Sequence, residues 1–553
     1  MSTFSPDLPY VAVDAGSTFT KAYVLDDVEG ERRLVAVGRA ATLADDGQPL
    51  PDQAAARAVA QALALTGRDA SGARVQAVQR SRRAVPRVLV VASAEAAVSE
   101  AVAQLRRLPL RLLDPVVLAG SGGAVAEQVL LALEAQVPDT LVLAGSGPIS
   151  EGRPLRAAVE ALMHGAISPI PHVVALGDDA FTAGLAPLLE GVRHARAPLG
   201  DAEAIAQALA PLLAGSPLDG VRVATEMVAE RYDVDVLTLD LGAGHVMGVI
   251  ANGTTGQRRV TTVVRDDLGL RHGRAGILEA VGAESVLRWM PLDVSSEALR
   301  GDARRGAIVP ASVPETPEEL LLDHAFAREA LSLLLADLPA ALGRGGLPPI
   351  DLLIGSGGVL ASAPRLFQAA LILLDAVQPE ALTQLALDRA TALPLLGYLG
   401  GTHGHQSVGA ALERDGLLNL GLCIAPSGVG REGESAIRVE VAYATRSPVT
   451  VEVPFGALEV VPLAAGERAA LKLWPARDFD VGLGRGNAAT PRAEVEGGAV
   501  GIIIDARGRP LLLPDSTEKR QAKLIQWLQG TRAYPQLSFV QAEDGAAERG
   551  AEE

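Results

Sequence analysis

The sequence predicts an α/β protein with a β-rich module at its C-terminal end. Two stretches far apart in the chain each read as strand, aspartate, glycine turn, strand. Around them, short Val- and Leu-rich runs alternate with Ala- and Leu-rich helical patterns. From about Glu434 the pattern changes to short strands punctuated by Gly and Pro. At 553 residues the chain exceeds what one hydrophobic core holds, so roughly three or four structural units are expected. Apolar residues make up 48% of it but aromatics only 3%, the balance expected of Val-rich strands covered on both faces by Ala/Leu helices.

The same composition excludes several function classes. A formal charge of −17 and few aromatics argue against a nucleic-acid partner. The compact basic run of Arg80, Arg82, Arg83 and Arg87 reads as a solvated linker before a strand. No apolar stretch reaches the roughly 18–20 uncharged residues that cross a bilayer, so no membrane span is expected. Met1 to Tyr10 lacks the regions of a signal peptide, and the lone Cys423 excludes an intramolecular disulfide or a cysteine metal cluster. A cytoplasmic location follows as the expectation.

The first hairpin runs from Val11 to Asp26. Val11, Val13, Tyr23, Val24 and Leu25 are strand formers, with Gly16 and small hydroxyl residues between them. Gly16 has no Cβ, so backbone N–H groups can approach an anion there, and Ser17, Thr18 and Thr20 add hydroxyl donors. Asp14, at the end of the first strand, is a candidate ligand for hydrated Mg²⁺, and Lys21 can supply a point charge. A plain structural hairpin has much the same composition.

The remaining elements follow in order. Arg33 to Ala40 reads as a third strand and Gln53 to Leu65 as a helix. From Arg87 to about Ala214, strands at 88–91, 115–118, 140–143 and 172–176 alternate with helices, the signature of a parallel sheet. Two of these strands end in glycine clusters, 119–123 and 144–148, that either line a crevice or let a helix turn back closely. Pro217 to Tyr232 reads as a helix, and Val234 to Ile250 forms the second hairpin, with Asp240, Gly242 and Gly244 in its turn. Asp266 and Asp267 lie in a polar turn beyond it. Thr316 and Pro317 mark a helix start. Ile350 to Leu360 is a buried-strand run ending in Gly355, Gly357 and Gly358. His403 and His405 lack nearby ligands and read as a polar loop. Strands at 437–441, 449–454, 469–473, 494–496 and 500–505 suggest a β-sandwich or small barrel attached separately, and 541–553 is an acidic tail.

The two hairpins and the later glycine cluster, in this order, resemble the phosphate-1, phosphate-2 and adenosine motifs of the actin, Hsp70 and sugar-kinase superfamily. That resemblance implies a two-lobed actin-like ATPase fold with ribonuclease H-like lobes clamping ATP. The expected organisation is a first lobe at 1–85, an inserted parallel α/β subdomain at 86–215 and a second lobe at 216–430, then a C-terminal β-rich domain at 431–535 and a disordered tail at 536–553.

Further motifs narrow the likeness. VAVDAGSTFTKAYV, DLGLRHG, PETPEEL, LLIGSGGVL and LLDAVQPE, with VPFGALEVVPL, WPARDFDVGLGRG and EVEGGAVGIIIDARGRPLLLP toward the C-terminus, resemble the MutL-like family named for the glutamate mutase accessory protein. The resemblance implies an ATP-dependent helper or reactivating protein acting on an adenosylcobalamin-dependent mutase. It places Asp14 and Asp240 on Mg²⁺, and Gly16, Ser17, Thr18, Thr20, Lys21, Gly242 and Gly244 at the phosphates. Gly355, Gly357 and Gly358 fall near the adenosine, and Asp266 or Asp267 becomes the water-orienting acid. Family members usually carry Asp-x-Gly-Gly-Ala-Thr-Thr-Asp at phosphate-2; here Asp240 to Met247 reads Asp-Leu-Gly-Ala-Gly-His-Val-Met. The lost Thr pair and second Asp would position a γ-phosphate, so binding is better supported than hydrolysis, and a weak ATPase is the most to be expected. A non-catalytic nucleotide-binding scaffold and a small-molecule kinase stay open as alternatives. A homodimer stays open among the partners.

Overall fold

The computed structural model describes residues 10–42, 51–67, 74–80, 86–106, 108, 110–120, 123–149, 154–164, 172–213, 217–254, 256–491 and 494–534. The acidic tail, Arg82, Arg83 and Ser216 lie outside these.

The first lobe is built on β1 (Tyr10–Ala15), β2 (Phe19–Val28), β3 (Glu31–Ala41) and β4 (Arg74–Arg80), in the order β3-β2-β1-β4. β1, β2 and β3 form an antiparallel meander, and β4 returns parallel to β1 through the Pro51–Leu65 helix. Alternation sorts the side chains of β1 and β2 onto two faces. Val11, Val13, Ala22 and Val24 meet that helix, while Tyr10, Ala12, Tyr23 and Leu25 face the second lobe.

The inserted unit holds β5 (Arg87–Ala92), β6 (Arg111–Leu112), β7 (Val116–Val117), β8 (Thr140–Gly145), β9 (His172–Gly177) and β10 (His194–Ala197). Its pairings are all parallel, in the order β10-β9-β8-β5-β6 with β7 also on β5. Apolar clusters cover both faces, which is why its strands read as continuous Val/Leu runs. Gly145 and Gly177 make room for Phe181, whose ring would lie 2.5 and 2.4 Å from a Cβ at either position. These strand-end glycines serve packing.

In the second lobe, β11 (Val236–Leu241), β12 (Val246–Asn252) and β13 (Arg259–Arg265) repeat the antiparallel meander. β14 (Leu352–Ser356) and β15 (Ala381–Leu387) add on in parallel, giving β13-β12-β11-β14-β15, the first lobe's plan with one more parallel strand. The Pro317–Leu342 helix packs on this sheet, with Thr316 capping it by accepting from the Glu319 N–H.

The C-terminal region differs from the separately attached sandwich expected. β16 (Leu418–Ala425) pairs with β15, and further along the chain come β17 (Ser427–Gly428), β18 (Ser435–Tyr443), β19 (Val449–Pro454), β20 (Leu458–Val461), β21 (Arg468–Pro475), β22 (Phe479–Asp480), β23 (Val495–Glu496) and β24 (Gly501–Asp505). β24 joins β16 in parallel and β20 joins β24, so the second lobe's sheet grows to eight strands. β19-β18-β21-β23 form a second sheet whose Ile437, Val439 and Leu471 share one core with Ile502 and Ile504 of β24. The Thr517–Gly530 helix then seats Leu524, Trp527 and Leu528 in the second lobe's core. Ile502 to Ile504 are fully buried on both faces, so this β-rich region completes the lobe.

Candidate functional site

The two hairpin turns close alike. Gly16 donates its N–H to the Phe19 carbonyl at 3.1 Å, and Gly242 donates to the His245 carbonyl at 2.9 Å. These two N–H groups are used within the turns themselves. Thr42 anchors the first turn through its side-chain bond to the Gly16 carbonyl (2.9 Å) and its N–H to the Thr18 carbonyl (2.9 Å). The second turn is held by the Leu270, Arg271 and His272 N–H groups, which donate to the Gly242 and Ala243 carbonyls at 3.0–3.1 Å. A Cβ on Gly269 would stand 2.5 Å from the Ala243 carbonyl oxygen, so the glycine of the DLGLRHG motif lets that segment lie against the turn.

The turns of the two lobes face each other. A Cβ on Gly244 would lie 3.3 Å from Ser17 Oγ. The third turn joins them through Gly357, whose φ of +95° and approach to the Leu241 backbone (2.3 Å from a would-be Cβ to the carbonyl oxygen) admit glycine alone without strain. Thr18, Gly242, Ala243, Gly358 and Val359 thus border one cavity of about 370 Å³. It is also lined by Pro310, the 312–317 segment, Leu320, Leu321 and Tyr534. Thr18 is buried, and its hydroxyl has no hydrogen-bond partner. A buried polar atom without a partner is an exception that a native fold rarely leaves unexplained. Arg271, also on the wall, is committed to Asp323 by a bidentate pair at 3.0 and 2.9 Å.

Beside this cavity lies an acidic cluster. Asp14 is half-buried and Asp240 buried. Burial pushes the Asp14 carboxyl above its ordinary range and Asp240 adds to the push, while Lys21 and His245 oppose it. Lys21 stands opposite Asp14 in the β1–β2 register, and His245 Nε2 lies 3.5 Å from Asp240 Oδ2. Two carboxylates suit Mg²⁺, but both already have a cationic or imidazole neighbour. The residues present do not fit a hydrated Mg²⁺.

Several expected roles are corrected. Thr20 is fully buried with its hydroxyl 3.0 Å from that of Thr42, so it braces the turn and does not face the cavity. Gly355 is buried under Leu360 and Leu373, where a side chain would collide with the core. Asp266 is paired with Arg111 of the inserted unit at 2.9 Å. Asp267 is held by both nitrogens of the Arg265 fork at 2.8 and 2.7 Å. Neither acid borders the cavity, and the arginine fork holds Asp267 below its ordinary range against the opposing effect of burial. Gly358 is exposed at the cavity wall, and Ser17 is exposed at the interlobe gap.

Asp388 was missed. It is fully buried after β15, accepting from Ser356 Oγ (2.9 Å) and the Ala392 and Leu393 N–H groups (2.8 and 3.0 Å). Burial raises its carboxyl to about 6 despite those bonds and the nearby Lys21. Its signal was present: Val-Ala-Val-Asp14, Leu-Thr-Leu-Asp240 and Leu-Ala-Leu-Asp388 are one repeated strand ending.

Two lobes, each a three-stranded antiparallel meander extended by parallel strands (one in the first lobe, two in the second), around a shared cavity define an actin-like ATPase fold. Residues 214–412, which span the second hairpin and the third turn, match the family model described as MutL protein. No curated protein matches. Among solved structures, the chain is similar to the Acidaminococcus fermentans (R)-2-hydroxyglutaryl-CoA dehydratase component A, at 11% identity over 71% of this chain and 96% of that one, with a TM-score of 0.27. It is also similar to the activator of the 2-hydroxyisocaproyl-CoA dehydratase from Clostridium difficile with bound ADPNP, at 8% identity over 72% and 97%, TM-score 0.28. A glycerol dehydratase reactivase shares 12% identity over 71% and 100%, TM-score 0.28. These likenesses are distant, and the fold assignment rests on the strand orders.

Among the described residues, no helix is long and apolar enough to cross a membrane.

Proposed function

We propose that this chain is an ATP-binding accessory protein that changes lobe closure with nucleotide state and acts on a partner enzyme. An adenosylcobalamin-dependent mutase such as glutamate mutase is the first candidate. The observation that carries the nucleotide part is the single cavity bordered by Thr18, Gly242 and Gly358, three turns distant in sequence. The MutL match supports the partner class. Calorimetric titration of the full chain with ATP and with ADP tests the first part, and heat of binding for neither overturns it. Recovery of an inactivated mutase on addition of this chain and ATP tests the second.

A second reading, nucleotide binding without turnover, is favoured by one observation. Both acids expected to orient water, Asp266 and Asp267, are spent in arginine pairs away from the cavity. Phosphate release above background, with or without the mutase, would remove that reading. A small-molecule kinase needs a free carboxylate base facing a substrate hydroxyl; turnover that appears only on adding a sugar or an acid would establish it.

A further inference from the structure

Building on the nucleotide reading, we propose that phosphate binding in this cleft requires no divalent cation, because Lys21 and His245 occupy the place and supply the charge and donors a metal would. The disagreement between the donor set and Mg²⁺ is the starting point. A hydrated Mg²⁺ binds a carboxylate oxygen at roughly 2.0–2.1 Å and keeps several of its waters. The second lobe offers Asp240, and His245 Nε2 already stands 3.5 Å from its Oδ2. That nitrogen is buried and has no hydrogen-bond partner.

On the first lobe, Lys21 and Asp14 are directly opposed across β1 and β2, where side chains of a register pair share one face. The charged groups within electrostatic reach of one another are Asp14 from β1, Lys21 from β2, Asp240 from β11 and His245 from the second turn, and Lys21 also acts on Asp388. A polyphosphate brought to Thr18 and Ser17 would repel the two carboxylates unless something positive stands between. In an ordinary site that is the metal. Here the chain itself supplies Lys21, opposite Asp14 in register, and the His245 imidazole, 3.5 Å from Asp240, and the ligand class is a metal-free nucleoside polyphosphate.

The test is isothermal titration of the full chain with ATP, once in EDTA and once in excess Mg²⁺. Affinities equal within about threefold are expected. A loss of about tenfold or more in EDTA overturns this proposal and leaves the nucleotide reading standing. Absence of binding in both buffers overturns that reading, and the proposal with it. His245→Thr, its fold checked by circular dichroism, should acquire a preference for Mg²⁺ of about tenfold; a variant as indifferent to the metal as the parent would remove His245 from the role.

Discussion

A Cβ on Gly397 would stand 1.7 Å from the carbonyl oxygen of Gly220, so the Leu393–His403 and Pro217–Tyr232 helices touch backbone to backbone. The contact is reciprocal, since a Cβ on Gly220 would lie 1.8 Å from the Pro394 carbonyl oxygen. This helix pair sits between the lobes, and the interlobe core of Tyr10, Tyr23 and Leu25 packs on Ala224, Val228 and Leu396. Tyr23 also donates its hydroxyl to the Thr391 carbonyl at 2.6 Å, tying the first lobe to the start of the helix.

Gly397→Ala should therefore separate the helices and loosen the interlobe core. Overpacking of this kind costs about 1–3 kcal/mol, read as a lower denaturant midpoint. Gly301→Ala, at a helical site with open space around it, should leave the midpoint unchanged or raise it. Equal midpoints for the two variants would contradict the contact.

Gly269→Ala acts on the cleft. The added methyl would meet Gly244 C at 2.4 Å and Ala243 O at 2.5 Å, so the second turn must move. A fall in ATP affinity of about tenfold, equivalent to about 1.4 kcal/mol, is expected with the circular dichroism spectrum retained. Unaltered affinity would separate that turn from the ligand.

Arg507 joins two buried acids, pairing with both Asp505 oxygens (2.8 and 2.9 Å) and with Asp375 (2.8 Å), which also receives Arg328 at 2.7 Å. Burial opposes ionisation of Asp505, yet Arg507 and Arg509 outweigh it and hold the carboxyl well below its ordinary range. Arg507→Met leaves these charges buried and short of a partner, a loss of about 3–5 kcal/mol. A depressed carboxylate contributes stability at neutral pH and loses it as the pH falls through its folded-state value. The deficit of the variant should therefore be greatest near neutrality and narrow in strong acid. A deficit independent of pH would show that lost packing, not charge, dominates.

Asp388 gives the opposite sign. Its carboxyl titrates near 6 in the fold against 3.8 when exposed, so between those values the folded chain binds the extra proton and is stabilised as the pH falls. Above about 6 the ionised form is a buried cost of about 3 kcal/mol. His324, buried and lowered to about 3, works the other way in both parent and variant and cancels from the difference. Asp388→Asn should gain stability relative to the parent as the pH rises from 4 to 7. A constant difference would place the Asp388 carboxyl at an ordinary value.

Much of the fold was legible because its signals are local. Strand alternation, the glycine turn after Asp14, the cap at Thr316 and the parallel runs of the insert each depend on neighbours a few residues away. The β-region was read correctly as strands and wrongly as an appendage, because Ile502 to Ile504 look the same whether they pair with each other's neighbours or with β16. Pairing partners are set by burial between distant segments.

The site divides along the same line. Residue types and spacing alone marked the turns at Asp14, Asp240 and Gly357, and the departure at His245. Only the tertiary structure decided which side chains face the cavity. Thr18 lines it while Thr20, two residues further on, is bonded to Thr42. It also withdrew Asp266 and Asp267 by bringing Arg111 and Arg265 to them, and placed Asp388 within reach of Lys21. A hydroxyl or a carboxylate has the same identity in every fold; whether it is a ligand group depends on which donors and charges the packed chain leaves beside it.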